Sequence, residues 1–199
     1  MKKILLYCLV VFVLACCTAA LKTSYGIKKP ELETRQSISL YLQQHDVDTS
    51  KTYVFKDLMS FGKASQRKFL SFPNAYFFNE KGFAVSYPKT TENCNAKVGD
   101  FISDMTSLAT LPADSTRKLS DFKELLQPKI DDSIASVNVF LTFTTYSGKL
   151  NDEKAFEWIK LLEKLKREGI SVNYYLVSGD YLKSWNIPPS LQEKWGIKK

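Results

Sequence analysis

An α/β fold with a mixed sheet of about five strands flanked by helices is what this sequence predicts, on three observations. Residues 74–78 and 83–87 are aromatic-rich runs separated by Asn79-Glu80-Lys81-Gly82. That is a β-hairpin pattern, with glycine where the turn needs a positive φ. Residues 137–146 are β-branched and aromatic on both faces, as a central strand is. Residues 172–177 repeat that character after an amphipathic stretch. A right-handed crossover in such a β-α-β unit makes its two strands parallel.

The elements follow in order. Pro30 suits the first turn of a helix over 31–44, with Leu32, Ile38, Tyr41 and Leu42 as a partial stripe. Residues 52–56 read as a short strand, and a helical or irregular stretch runs on to Leu70. Pro73 opens the hairpin and Pro88 ends it. Residues 95–105 predict a helix with Val98, Phe101, Ile102 and Met105 on one face. Residues 106–133 are a polar connector, with one helix expected over 114–126. After the strand at 137–146, Asn151 or Asp152 caps a helix to Glu168. Its core face is Ala155, Ile159, Leu162 and Leu165, and Gly169 stands in the C′ position. Ser178-Gly179-Asp180 leads into a short helix, and Ser190 and Glu193 have capping-box spacing before Trp195.

Ahead of this lie Met1, Lys2 and Lys3, then an uncharged run over 4–21. Basic residues before an apolar run form an export leader, and its length is near the lower end of the roughly 17–25 residues that span a bilayer. Three readings stand: an uncleaved signal anchor, cleavage near Thr18-Ala19-Ala20, or lipidation at Cys16. For the last, Val13-Leu14-Ala15-Cys16 resembles a bacterial lipobox. The organisation expected is a signal or anchor segment at 1–21, a tether at 22–29 and a single domain at 30–199. All three readings put that domain across the membrane, facing the periplasm or cell exterior, and the anchor and lipidation readings also tether it there.

Net charge is +7, from 28 Lys and Arg against 21 Asp and Glu. Lysine dominates, with only Arg35, Arg67, Arg117 and Arg167. Without a basic stripe interleaved with aromatics, no nucleic-acid partner is expected; anionic lipid attracts such lysines weakly. Cys8, Cys16 and Cys17 lie in the leader, so Cys94 has no disulfide mate within the domain. Stability must come from an apolar core, which a hydrophobic content of 44% supplies.

The strand opened by Pro73, the turn Lys81-Gly82, the second strand at 83–85 and the helix near Phe101 resemble the closing half of a thioredoxin-like domain. The strand-helix-strand-helix unit over 137–185 is similar to its opening half. Together they cover roughly half of the chain. Thioredoxins run these halves in the opposite order, so the resemblance implies a divergent, permuted thioredoxin-like mixed sheet with residues 137–146 central. The stretch matching the family's redox CxxC is Thr144-Thr145-Tyr146-Ser147-Gly148-Lys149. It holds no cysteine, which excludes dithiol exchange on stoichiometry.

Other chemistry is thin. Cys94 precedes a predicted helix N-terminus, where its pKa would fall, and Thr91 echoes the Thr-x-x-Cys of peroxiredoxins; the family's proline, seven residues before its cysteine, is Tyr87 here. Cys94 with Thr91 is therefore the weak catalytic candidate. His45 is the single histidine and reads as a solvated helix-end residue, which leaves no metal set. Asp46, Asp48, Asp131 and Asp132 suggest carboxylate pairs, but nothing else in the sequence supports acid–base work by them, and Asp131-Asp132 reads as capping or solvating a linker. Burial accounts for most of the hairpin aromatics; Tyr76, Phe78 and Phe83 are the candidate binding face where one is exposed, with Phe77 on the strand's other side. A hairpin at a sheet edge would let a partner add a strand. The expectation is a membrane-tethered domain without a redox dithiol or cofactor, leaning away from an enzyme, that binds a protein or peptide. The alternatives are a single-cysteine, peroxiredoxin-like thiol enzyme using Cys94, and a structural accessory of a membrane complex.

Overall fold

Strand β7 (Val137–Phe143) is buried along its whole length, and the architecture follows from it. Its alternation sends Val139, Leu141 and Phe143 to one core and Phe140 to the other. Both faces of the sheet must therefore be covered. The computed structural model describes residues 22–86, 97–103, 105, 108, 111–130 and 135–198. The leader, with Cys16, and the stretch holding Tyr87, Thr91 and Cys94 lie outside the described residues, as do Asp131 and Asp132. Among the described residues no helix is long and apolar enough to cross a membrane.

Beside β7 lies β8 (Val172–Ser178), parallel and in register from Val137↔Val172 to Phe143↔Ser178. On its other side is β3 (Asn74–Asn79), antiparallel, with Asn74↔Thr142 at one end and Asn79↔Val137 at the other. The hairpin and the β-α-β unit therefore share one sheet. Among the described residues the sheet has seven strands, ordered β5-β4-β3-β7-β8-β2-β6, against about five expected. The others are β2 (Thr52–Phe55), β4 (Phe83–Val85), β5 (Ala113–Lys118) and β6 (Leu126–Gln127). A separate two-stranded sheet joins β1 (Leu32–Glu33) in parallel to β9 (Tyr181–Leu182).

One layer consists of α1 (Arg35–Gln44), α3 (Lys97–Ser103) and α5 (Glu157–Arg167). It buries Ile38, Leu42, Val98, Phe101, Ile102 and Leu162 against the face that carries Phe77. The other layer consists of α2 (Leu58–Gln66) and α4 (Leu119–Lys123). Its centre is aromatic: Phe122 lies 4.4 Å from Phe69 and 4.7 Å from Phe140 by ring centroids, and Phe140 stacks 4.7 Å from Tyr175. A buried aromatic side chain contributes about 1.5–3 kcal/mol, so this cluster anchors its layer.

Several boundaries move from the sequence expectation, each for a local reason. Helix α1 starts at Arg35 rather than 31, because Thr34 caps it in a reciprocal box with Ser37. Asn151 does not cap: residues Asn151–Phe156 form a π-helical turn continuous with α5, and Asn151 is buried. The helix expected over 114–126 is strand β5 followed by α4. The strand is polar, but pairing with β4 across a bulge at Phe83/Ala84 holds it, and Arg117 stacks 4.6 Å from the Phe69 ring. With β5 outside it, the hairpin is not a sheet edge. Ser178-Gly179-Asp180 leads into β9 and then a 3-10 turn, Lys183–Trp185. Ser190 lies inside the last helix, α6 (Pro189–Lys194), where Pro189 takes the first-turn position and no side chain caps.

Candidate functional site

Because β7 and β8 are parallel and in register, they finish together, and the loops that leave them meet. In sheets of this kind binding residues collect outside the carboxyl ends of the strands. The loop after β7 is Thr144-Thr145-Tyr146-Ser147-Gly148-Lys149, the stretch with no cysteine. Thr144 is buried, its hydroxyl 2.6 Å from Ser147 Oγ, and the 3-10 turn Thr145–Ser147 follows. Asn151 holds the loop from beneath, its Nδ2 donating to Thr144 O at 2.7 Å and Tyr41 Oη at 2.8 Å.

The loop after β8 supplies Asp180, which is 1% exposed. Thr145 N donates to its Oδ1 at 3.0 Å and its Oδ2 at 3.1 Å. The Ser178 hydroxyl donates to Oδ2 at 2.7 Å, and the Thr145 hydroxyl sits 2.8 Å from Oδ1. Burial pushes this carboxyl up to about 6, against the lowering effect of the Ser178 and Thr145 hydrogen bonds, and the Glu33 charge adds to the rise. Burial, then the Asp180 and Tyr181 charges, push the Tyr146 phenol up to about 12.

Glu33 arrives from the N-terminal side. Its Oε1 is 3.3 Å from Thr145 Oγ1, and its Oε2 accepts from Ser37 Oγ at 2.5 Å. Thr145 Oγ1 carries one hydrogen, so it donates to one of the two carboxylates. The contact to Asp180 Oδ1, at 2.8 Å, is the shorter of the two.

Residues 25–33 cross this end of the sheet as a strap. Lys28 N donates to Tyr146 O, and Lys149 N to Tyr25 O, each at 2.9 Å. The stretch expected to be a tether is thus bonded to the domain at both of these points. Gly148 sits beneath it with φ 57° and ψ −139°. A Cβ there would meet Tyr25 O at 2.2 Å and Gly26 O at 2.6 Å. Between strap and loop is a cavity of about 320 Å³, lined by Lys28, Glu33, Ser37, Tyr41 and Thr145 among others.

A second site surrounds His45, the C-terminal cap of α1. Its Nδ1 is 2.6 Å from Asp152 Oδ1, and its ring packs against Tyr41 and Phe156. The pair is ionic when the imidazole is protonated, and His45 is tied to the start of the α5 segment rather than solvated alone. An open groove of about 600 Å³ runs from here past Asp46, Asp48, Phe156 and Glu163 to Tyr174. Lys51 Nζ lies 4.1 Å above the Tyr174 ring and 3.4 Å from Glu163. Burial and the Glu163 hydrogen bond raise the Tyr174 phenol; that same bond above all, helped by Lys51, holds Glu163 below the usual carboxylate range.

The candidate binding face fares differently. Tyr76 and Phe78 are buried in the second core, 8% and 0% exposed, and only Phe83 is half-buried. Tyr76 and Phe78 pack beside Phe122 of α4, and Phe83 lines a shallow surface pocket. Phe77 points to the other core, as the alternation predicts. Nothing in the sequence marks Asp180, Glu33 or Asn151 as site residues. The available signal is a polar triplet placed directly after an apolar strand. Among the described residues no group of three or more His, Cys, Asp and Glu side chains is placed to hold a metal ion. Comparison with known proteins returns no match to a family model, a curated protein or a solved structure.

Proposed function

We propose that this chain is a membrane-tethered, thioredoxin-like domain held outside the cytoplasm that acts by binding a protein or peptide, with the acidic groove beside His45 receiving a cationic segment. One observation carries the reading. The end of β7, where a thioredoxin-like protein keeps its dithiol, is occupied here by the Thr145–Asp180 contacts and roofed by the strap. The loop at that end, residues 144–149, carries no cysteine, and the chain's own residues take the place of a dithiol there.

The fold reading draws support from the sheet: the hairpin strand β3 lies antiparallel against β7 within one sheet, with the β-α-β pair on its other side. Residues 1–21 support the tether by their sequence. The groove supports the partner class. Asp46, Asp48, Asp152, Glu157 and Glu163 line it against Lys160, with Lys51 over Tyr174; five minus two gives −3, with His45 counted as neutral, inside a chain of net +7. Phe156 and Ile159 add an apolar floor. Complementary charge of this kind selects partners and speeds encounter.

The test is selection from a random peptide library against the full chain in lipid nanodiscs. Selected peptides should be rich in Lys and Arg around an apolar anchor. Their affinity should fall about tenfold or more in an Asp48→Lys/Asp152→Lys chain, since each 1.4 kcal/mol is a factor of about ten. Cys94→Ser should leave it unchanged. Selection without charge preference, or loss of function in Cys94→Ser alone, would favour the thiol enzyme and end this reading.

A further inference from the structure

The strap concentrates positive charge. Lys28 and Lys29 line its cavity. Lys198 Nζ pairs with Glu31 at 2.8 Å while its own N–H donates to Pro30 O. Lys28 and Lys183 act on Glu31 through space as well. Lys149 bonds the strap at Tyr25, and Lys22 closes the turn that precedes it by accepting from Ile27 N. All six lysines are exposed. Set against Glu31 and Glu33, they leave +4 on this face. Residues 4–199 carry 26 basic and 21 acidic groups, once Lys2 and Lys3 are removed from the 28, and so +5 in all. One face therefore holds nearly the whole surplus, and the rest of the domain is close to neutral.

The position of that face is also constrained. Backbone hydrogen bonds pin residues 25 and 28 to the loop after β7. Tyr25 is four residue steps beyond Leu21, the end of the apolar run, a reach of at most about 14 Å. The Debye length is about 8 Å at physiological salt. If the leader lies in a bilayer, the lysine face is held at the distance where headgroup charge is felt.

We propose that this lysine face is a docking surface for anionic lipid headgroups, holding the domain edge-on against the bilayer that its leader enters. The inference rests on the membrane-tethered reading. Lysines on a strap pinned next to the entry point meet the surface without ordering a free tether, so their attraction is not spent on chain entropy. Each basic residue near an anionic surface is worth about fivefold in partition, and several together fix an orientation.

The experiment places the full chain in nanodiscs of phosphatidylcholine alone, or with about a third phosphatidylglycerol, and measures acylation of each lysine by a water-soluble reagent. In anionic discs Lys28, Lys29, Lys183 and Lys198 should label about fivefold more slowly. Lys81 and Lys164, away from the strap, should not change, and high salt should remove the difference. A Lys28→Gln/Lys29→Gln/Lys183→Gln/Lys198→Gln chain, with its folding checked by circular dichroism, should lose the protection at Lys149 as well. Equal labelling in both lipids, or protection spread evenly over all lysines, overturns the inference and leaves the tether standing. A chain that does not remain with the discs overturns the tether and the inference together.

Discussion

Asp180→Ala destabilises residues 22–199 by about 3–5 kcal/mol at about pH 4.5, whereas Asp180→Asn costs far less, when both are measured by urea unfolding. The alanine strands the Thr145 N–H and the Ser178 hydroxyl, which now donate to this carboxyl. Each buried polar group left unsatisfied costs about 1–3 kcal/mol. Asparagine resembles the neutral acid and retains an acceptor for Thr145 N. The pH dependence has a definite sign. In the folded chain burial raises the carboxyl from 3.8 to about 6, so the folded state binds the proton more tightly than the unfolded state does. The stability this supplies is complete below about pH 4 and is lost as pH climbs through about 6. A displacement of that size corresponds to about 3 kcal/mol. Wild type should therefore lose ground against Asp180→Asn across that window, and a difference that stayed flat from about pH 4 to 7 would show that the carboxyl titrates normally.

Gly148→Ala is expected to cost about 3 kcal/mol and to free the strap while the sheet stays intact. The new methyl group would lie 2.2 Å from a backbone oxygen, Tyr25 O, which cannot swing aside as a side chain does. The backbone angles, φ 57° and ψ −139°, add about 1–3 kcal/mol for any residue with a Cβ. The Lys28–Tyr146 and Lys149–Tyr25 hydrogen bonds should break together, because they flank the displaced loop. Amide exchange reads this directly: Lys28 and Lys149 should exchange at least tenfold faster, while Leu141 and Leu176 in the central strands keep their protection. Uniform acceleration across the sheet would mean that the strap is part of the global folding unit rather than a roof upon it.

The central elements were legible in the residues, and the closing contacts were not. Strand β7 announces itself because seven consecutive residues are buried on two faces, and such a run has no amphipathic alternative. The hairpin is legible through Gly82, whose φ of 75° the turn requires. Strand β5 is illegible: Ala-Asp-Ser-Thr-Arg-Lys shows no alternation, and it is a strand because β4 offers it an edge. Thr34 and Ser37 cap α1 reciprocally, yet serine in place of glutamate hides the box. The Asp180 site joins residues 33, 145 and 180, each unremarkable beside its own neighbours. Only the shared ending of two parallel strands brings them together. The same sheet closure explains why Tyr76 and Phe78 are core, although an aromatic hairpin read alone suggests a recognition face.

Hydrogen-exchange footprinting of the full chain with a Lys/Arg-rich selected peptide tests the account most directly, because it locates the surface that works. Protection confined to 45–48, 152–163 and Tyr174, with residues 144–149 and 178–182 unchanged, is the predicted map. Protection centred on 144–149 and 178–182 would contradict it, since the partner would then enter at the end of the sheet that the strap and the Asp180 contacts close.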